Sequence, residues 1–188
     1  MPPNQLRIIG GKWRHRRLSI NPYAGLRPTP NRVRETLFNW LTPTIQGATC
    51  LDAFAGSGAL GLEALSRGAR QVYFIDQAYG SMAMLQQHLT NLACDHAAAP
   101  LIQATLPAVL TTLTQAFDVV FIDPPFDQGL VEPTLTALLN QRLLKPNALV
   151  YTETERHFPL APLRVQHWRI RRHSHAGAVA YYLLERAL

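Results

Sequence analysis

The residues best suited to do chemistry stand at 118–126, DVVFIDPPF. The apolar run at 119–122 predicts a buried strand, and two consecutive prolines end it because they remove two backbone donors and fix two φ angles. The corner that follows is stiff, rich in hydrogen-bond acceptors and closed by an aromatic ring. A simple reversal of the chain needs none of these features. We therefore interpret this DPPF corner as a binding element made of four candidate catalytic residues, Asp123, Pro124, Pro125 and Phe126.

Such a corner suits an amino group carried by an aromatic base. The carboxylate of Asp123 and the carbonyl of Pro124 can accept its two hydrogens while the base stacks on Phe126. The amine is a poor nucleophile because its lone pair is delocalised into the ring, and accepting both hydrogens would direct that lone pair at an incoming methyl group. Methyl transfer to it needs alignment and electrostatics more than a covalent nucleophile.

A glycine loop lies earlier in the chain, in DAFAGSGALG. Gly56, Gly58 and Gly61 match GxGxxG between a predicted strand and a predicted helix, where backbone N–H groups at a helix start can approach a ligand. Asp76 ends the next predicted strand, 24 residues beyond Asp52, and can accept hydrogen bonds from ribose hydroxyls. The structural alternative is a tight turn followed by a strand-end aspartate.

Two acids near this loop bear on the ligand. A dinucleotide is the usual interpretation of GxGxxG, but a carboxylate at Asp52 would repel a pyrophosphate and would suit an ammonium group. S-adenosylmethionine (SAM) has a ribose, an amino group and a sulfonium, and it has no phosphate. The pattern therefore favours SAM over NAD.

The elements around these motifs alternate. Strands are predicted at 49–54, 71–76, near 101–102, at 117–123 and at 148–153. Helices are predicted at 58–68, at 82–92, from after residue 102 through residue 113, and at 130–140. This alternation predicts a parallel sheet with helices on both faces, and two late runs near 163–170 and 178–185 predict a closing antiparallel pair. Since ligands bind beyond the carboxyl ends of such strands, Asp52, Asp76 and Asp123 should share one rim.

The N-terminal region has its own pattern. Residues 5–20 predict a β-hairpin around Gly10-Gly11, and residues 27–41 predict a helix with Thr29 as N-cap and Pro30 at its first position. The net charge is +6, and residues 1–34 contain eight basic residues and no acid, whereas the remaining residues carry a net charge of −2. This asymmetry predicts a nucleic-acid partner rather than a merely basic surface. The candidate contacts are Arg7, Lys12, Arg14, Arg16, Arg17, Arg27, Arg32 and Arg34.

Other features exclude competing classes of protein. The length suits one domain, no segment approaches a membrane span, and the first residues lack the apolar core of a signal peptide, so we expect a cytoplasmic monomer. Two isolated cysteines give no disulfide framework, and His173 and His175 are expected at the surface, so no metal site is predicted. Neither a GxSxG elbow nor a GxxxxGK[ST] loop is present.

Four motifs together resemble one family. RIIGGKWRHRRL, LRPTPNRVRETLFNWL, CLDAFAGSGALGLEALSRGA and VVFIDPPF are similar to the RsmD family of bacterial 16S rRNA guanine-N2 methyltransferases. The similarity runs from about residue 5 to residue 130, and AGAVAYYLLER extends it. It implies a Rossmann-like class I SAM-dependent methyltransferase with a mostly parallel seven-stranded sheet. It also implies N2-methylguanine in small-subunit rRNA as the product, in free RNA or in a ribosomal particle.

The resemblance also implies roles for residues. The SAM-binding set is Asp52, Phe54, Ala55, Gly56, Ser57, Gly58, Asp76, Gln77, Gln103 and Ala104. Two positions depart from the family pattern: Ala78 stands where a second acid is common, and IQATLPAVL lacks the usual adenine-binding Asp or Asn, so Gln103, Thr105 or a backbone carbonyl must substitute. We predict a basic hairpin extension at 1–28 that clamps RNA and a methyltransferase domain at 29–188.

Three other functions stay open from the sequence. An adenine-N6 DNA methyltransferase usually needs a separate target-recognition domain, for which this chain has no room. An NAD-dependent oxidoreductase gives the DPPF corner no role. A non-catalytic RNA-binding module does not explain three acids at one rim.

Overall fold

A computed structural model describes residues 5–20, 29–156 and 168–187. The strands in these ranges are β1 (Gln5–Arg7), β2 (Arg17–Ser19), β3 (Thr49–Asp52), β4 (Gln71–Asp76), β5 (Leu101–Gln103), β6 (Phe117–Ile122), β7 (Leu144–Glu155), β8 (Trp168–Ala176) and β9 (Val179–Arg186). The α-helices are α1 (Asn31–Ile45), α2 (Ala59–Ser66), α3 (Tyr79–Asn91) and α4 (Val131–Asn140). No helix in these ranges is long and apolar enough to cross a bilayer.

Seven strands form one sheet in the order β5-β4-β3-β6-β7-β9-β8. The pairings from β5 through β7 are parallel, and β9 pairs antiparallel with both β7 and β8. The predicted mostly parallel seven-stranded sheet is confirmed. The chain moves from β3 to β4 and β5 on one side and then returns to β6 on the other, so the strand order reverses between β3 and β6, where ligands bind in open α/β sheets.

The sheet has a core on each face. Every residue of β3 is buried, and its side chains alternate: Cys50 packs with α1, α2, α3 and the N-terminal hairpin, whereas Leu51 packs with α4 on the opposite face. Alternation of this kind is the period of a strand covered on both sides. The short strands are therefore fixed by apolar packing, which holds their carboxyl ends in place.

The predicted hairpin is confirmed and packs on the core. β1 and β2 pair antiparallel with Leu6 opposite Leu18, and the apolar side chains of the segment 5–20 are buried among those of α1, α2 and α3. The connection is longer than a tight turn at Gly10-Gly11, because a 3₁₀ turn at Gly11–Trp13 precedes a left-handed residue at His15. This hairpin packs on helices α1, α2 and α3 as well as carrying charge.

Two local predictions were wrong, and one lies partly outside the described residues. Helix α1 begins at Asn31 after Pro30, and no side chain caps it, because the Thr29 hydroxyl donates to Asp123 instead. The helix predicted before residue 113 is only a 3₁₀ turn at Ala108–Thr112. Of the predicted strand near 163–170, residues 163–167 lie outside the described ranges.

Candidate active site

Three aspartates meet at the carboxyl-end rim of the sheet. β3 ends at Asp52, β4 ends at Asp76, and β6 ends one residue before Asp123. A cavity of about 830 Å³ opens at this rim, and all three side chains line it. The sequence predicted this convergence, and the order reversal between β3 and β6 is its structural cause.

Asp52 is almost fully buried beneath the glycine loop. Only 2% of it is exposed, and its Oδ2 accepts a hydrogen bond of 2.8 Å from the Gly61 N–H. Burial raises the pKa of Asp52 to about 7, although the Gly61 hydrogen bond opposes the shift. A Cβ at Gly61 would stand 2.2 Å from the Phe74 ring and 2.9 Å from this carboxylate, so the third glycine of the motif permits the helix to pack against the strand.

Asp76 ties the glycine loop (residues 54–58) to the next strand. Its Oδ2 accepts from the Gly56 N–H and its Oδ1 accepts from the Ala78 N–H, each at 2.8 Å. Each carboxylate oxygen keeps further acceptor capacity toward the cavity. Gly58 follows with φ +77° as the residue before α2, a conformation in which a Cβ would also collide with Leu85.

The DPPF corner (residues 123–126) forms another wall of the cavity. Pro124 is buried, whereas Phe126 is 44% exposed and carries one of the most exposed large apolar side chains in the described residues. After it, Asp127 turns with φ +62°, and its N–H donates to Glu155 at 2.8 Å, which fastens the corner to β7. The ring is therefore held at the cavity with a face free to stack.

A fourth carboxyl at the cavity was missed by the sequence reasoning. The register of β6 with β7 pairs Ile122 with Thr152, so the next residue, Glu153, lies beside Asp123. Glu153 is 4% exposed, lines the cavity and accepts a 2.9 Å hydrogen bond from the Tyr151 hydroxyl. An acid near the end of the strand next to the DPPF strand was the available signal, the same one that identified Asp52.

Burial and mutual repulsion change the protonation of this pair. Burial raises the pKa of Asp123 to about 6, against a hydrogen bond from Thr29 at 3.2 Å. The pKa of Glu153 rises to about 8, first through burial and then through the nearby charge of Asp123. Two carboxyls this close lose their protons in steps that belong to the pair.

The cavity has acceptors and no positive side chain. Its described lining residues include four carboxyls and no Lys, Arg or His. Such a wall suits hydroxyls, amines and a cationic ligand, and it repels phosphate.

Most of the predicted cofactor set lines the cavity. The lining includes Phe54, Ala55, Gly56, Ser57, Gln77 and Ala104 together with Asp52 and Asp76. Two predicted residues are not in the lining: Gly58 directly precedes α2, and the Gln103 amide donates to the Gln77 carbonyl at 3.4 Å. Thr105 and Leu106 stand at the wall instead, so Gln103 is the weakest of the predicted contacts.

One predicted RNA contact, Arg34, is wrong. It is 1% exposed, and its guanidinium donates to Glu63 at 3.3 Å and to the carbonyl of Arg7 at 2.8 Å. A buried and fully engaged guanidinium has no surface to offer a phosphate. Arg27 lies outside the described residues.

The other predicted cations differ in position. Lys12, Arg14, Arg16, Arg17 and Arg32 are exposed, and Arg7 is half-buried. The hairpin loop contacts Ser66 at the C-terminal end of α2, far from the rim, and Arg16 bonds the carbonyl of Asn91 at the end of α3. Arg32 instead follows Thr29 and Pro30, which line the cavity. The cationic surface therefore has one member beside the cavity and a group at the opposite end of α2.

The sheet order, the antiparallel final strands and the cavity at the order reversal define a Rossmann-like class I methyltransferase fold. The family described as Conserved hypothetical protein 95 matches residues 6–185. The chain belongs to this family, the RsmD family that its motifs indicated.

Relatives and solved structures agree with that membership. The chain is 44% identical over 183 residues to Ribosomal RNA small subunit methyltransferase D of Haemophilus influenzae, covering 96% of this chain and 94% of the relative. It is 46% identical to the protein of that name from Escherichia coli, covering 97% and 90%. The yhhF structure of Escherichia coli superposes with a TM-score of 0.85 at 43% identity, covering 97% of this chain and 98% of that one.

A more remote structure shows the fold alone. SMU.776 complexed with SAH has a TM-score of 0.65 at 18% identity, covering 81% of this chain and 48% of that chain.

Proposed function

We propose that this protein transfers a methyl group from SAM to the exocyclic N2 amine of a guanine in small-subunit (16S) rRNA. The observation that carries the proposal is the rim of four carboxyls without a positive side chain, adjoined by the DPPF corner and its exposed ring. The rRNA substrate is supported by the names of the relatives that match almost the whole chain.

The residues present fit SAM. Asp76 has free acceptor capacity at the end of β4 for ribose hydroxyls, and the Gly56 and Ala78 N–H groups hold it in place. The carboxyl-rich wall suits the amino group and the sulfonium. The glycine loop, which leads into α2, lines the same cavity and brings its backbone close to the ligand. When bound, SAM supplies an electrophilic methyl group.

The DPPF corner holds the base in this proposal. Asp123 and the Pro124 carbonyl accept the amine hydrogens, Pro125 stiffens the corner, and Phe126 stacks on the ring. The methylated nitrogen must lose a proton, and the Asp123 carboxylate is placed to take it. The pKa of Asp123, raised by burial to about 6, leaves the carboxylate mostly ionised at neutral pH and able to act as that base.

The alternatives fit the site less well. An NAD-dependent oxidoreductase would bring a pyrophosphate to a wall of carboxyls. A non-catalytic RNA-binding module gives no reason to bury Asp52 and Glu153 without cations, beside a half-buried Asp123. An adenine-N6 DNA methyltransferase shares the corner, but the relatives that match almost the whole chain are named for ribosomal RNA and not for DNA.

The exposed cations complete the proposal. The N-terminal hairpin and Arg32 contact rRNA phosphates while the target base is flipped into the cavity. The protein acts as a cytoplasmic monomer on free rRNA or on a ribosomal particle.

Mass spectrometry of rRNA nucleosides from cells with and without the gene tests the reaction. N2-methylguanosine in small-subunit rRNA should fall when the gene is deleted, and loss of a different modified nucleoside would overturn the guanine-N2 assignment.

Calorimetry tests the cofactor. SAM should bind and NAD should not, and Asp76→Asn should weaken SAM binding by about 1–3 kcal/mol, the range for a charge-assisted hydrogen bond. Asp95→Asn is a matched control, because Asp95 caps a 3₁₀ turn before the amino end of β5, away from the rim. Equal losses in both variants would contradict the role of Asp76.

A further inference from the structure

Glu153 is an unusual residue to bury at this cavity. It is 4% exposed and lies beside Asp123, and no cation is paired with it in the described structure. Tyr151 donates to its Oε1, but a glutamine would accept that bond equally well. Because two adjacent carboxyls without a counter-charge destabilise a fold, the arrangement calls for a ligand that supplies donors to both.

Guanine supplies such donors side by side. Its Watson–Crick edge presents the N2 amine next to the N1–H, and both donate hydrogen bonds. Adenine presents its amine next to an unprotonated N1, which accepts. A flipped base is recognised through this edge, and two neighbouring carboxylates complement guanine and oppose adenine. A protonated Glu153 would donate to the N1 of adenine, so this discrimination belongs to the ionised pair.

We propose that Glu153 is a specificity-determining residue that accepts the N1–H of the target guanine while Asp123 and the Pro124 carbonyl hold the N2 amine. The inference rests on the proposed function and adds to it a residue that distinguishes guanine from adenine. The strand register carries it, since β6 and β7 place the two carboxyls at matching positions on one wall. Thr29 and Tyr151 hold that wall on the side facing α1.

The proposal predicts a pH dependence. The groups around Glu153 are Asp123 from β6, Thr29 before α1, Tyr151 on its own strand and Tyr181 opposite it on β9. Glu153 must be ionised to accept the N1–H, so kcat/KM should rise as pH passes its pKa, which burial raises to about 8. A lower limb should appear near pH 6, and the two limbs together report the coupled loss of two protons from the pair of Asp123 and Glu153.

The test compares Glu153→Gln with the wild type and with Glu185→Gln. Glu185 on β9 pairs with Arg169 and Arg171 of β8, so its change to glutamine controls for the same chemical change away from the cavity. The substrate is small-subunit particles from cells lacking the gene, with isotopically labelled SAM and nucleoside mass spectrometry. Glu153→Gln should lower kcat/KM about 10- to 100-fold, the loss expected for one charge-assisted hydrogen bond, and it should abolish the upper pH limb.

Measurements other than activity separate this role from a structural one. Calorimetry should show SAH affinity within about twofold of wild type. The melting temperature at pH 8 should rise, because the variant no longer buries an ionising carboxyl beside the charge of Asp123. If Glu153→Gln fails to fold, Glu153→Asp keeps the carboxylate and should retain the upper limb with reduced kcat/KM. A Glu153→Asp enzyme without an upper limb would overturn the proposal.

A base analogue tests directly whether Glu153 recognises the N1–H of the base. 2-Aminopurine carries the same exocyclic amine beside an unprotonated N1. It can be ligated into rRNA in place of the guanine that the enzyme methylates. Wild type should methylate the analogue at least 10-fold more slowly than guanine, and Glu153→Gln, whose amide can donate to N1, should lose most of this discrimination.

Failure of the Glu153 inference can be told apart from failure of the proposed function. Wild-type production of N2-methylguanosine with an unchanged Glu153→Gln enzyme would overturn this inference and leave the proposed function intact. Wild type that methylates another atom would overturn both.

Discussion

Two regions of the molecule bury carboxylates, and they do so in opposite ways. At the junction of the N-terminal hairpin with α2, Glu63 is fully buried and surrounded by donors. Its oxygens accept from the backbone N–H groups of Ile9 at 2.9 Å and Gly10 at 2.8 Å, and from Arg67 at 2.7 Å and Arg34 at 3.3 Å. Two guanidinium groups and two amides therefore satisfy one carboxylate.

At the rim the donors are scarce. Asp52 has one amide donor, and Glu153 has the Tyr151 hydroxyl, with no cation among the described residues that line the cavity. Burial raises the pKa of each, because the charged form lacks compensation. The difference shows that a buried carboxylate with cationic partners joins elements, whereas buried carboxylates with a single neutral donor keep acceptor capacity for a ligand.

Removing the charge of Glu63 at the junction of the hairpin with α2 should have the largest effect on the free energy of unfolding. Glu63→Gln leaves Arg34 buried beside a neutral side chain and should lower the free energy of unfolding by about 3–5 kcal/mol, the usual loss when one partner of a buried ion pair is removed. Urea unfolding measures it, with the exposed pair Arg169–Glu185 as control through Glu185→Gln, for which less than about 1 kcal/mol is expected. Equal losses in the two variants would show that burial at the junction does not matter.

The next largest effect should appear at the DPPF corner, in activity alone. Asp123→Ala removes an acceptor of the amine hydrogens and should reduce methyl transfer by about 10²–10³-fold, the scale for losing one preorganised electrostatic contact. SAM affinity should stay within about twofold, because the partner of Asp123 is the base. Single-turnover kinetics measure the rate of methyl transfer, and calorimetry measures the SAM affinity. Near-normal turnover would show that the DPPF corner is only a turn of the chain.

Glu153 at the rim should also make the free energy of unfolding depend on pH. A carboxyl whose folded pKa is raised favours the folded state at low pH, and this contribution is lost as pH rises from its ordinary value toward the folded one. For Glu153 that window runs from the ordinary value of 4.5 to about 8. Relative to wild type, Glu153→Gln should therefore gain about 2–4 kcal/mol of unfolding free energy between pH 5 and pH 8. A gain that stays constant across that range in urea titrations would contradict the raised pKa.

The sequence predicted the rim and missed the junction for physical reasons. Asp52, Asp76 and Asp123 are recognisable because parallel strands end at a common edge, so position along the chain implies position in space. The partnership of Arg34 with Glu63 links residues on different helices, and charge counting assigned that arginine to the surface. Thr29 was assigned as a helix cap because local sequence favours that role, but a tertiary acceptor, Asp123, took its hydroxyl.

The smallest effect, and the one that tests the hairpin, concerns RNA binding. Deleting residues 1–20 would not isolate charge from structure, because Leu6, Ile8 and Trp13 are buried in the core and their loss would expose apolar side chains of α1, α2 and α3. Arg14 and Arg17 are exposed, so their replacement by alanine removes charge and leaves the packing intact.

If both arginines contact phosphates, the double variant should bind rRNA with a salt slope flatter by about 1.4, since each contact contributes roughly 0.7 on single strands. Its melting temperature and SAM affinity should match wild type. Arg186→Ala is the matched control, because Arg186 is exposed at the end of β9, which two strands, β6 and β7, separate from β3 and from the helix α2 that contacts the hairpin. Filter binding across a salt series would show the difference. A slope unchanged in the double variant, with Arg32→Ala alone reducing it, would mean that RNA is held beside the cavity and that the hairpin serves only to cover helices α1, α2 and α3.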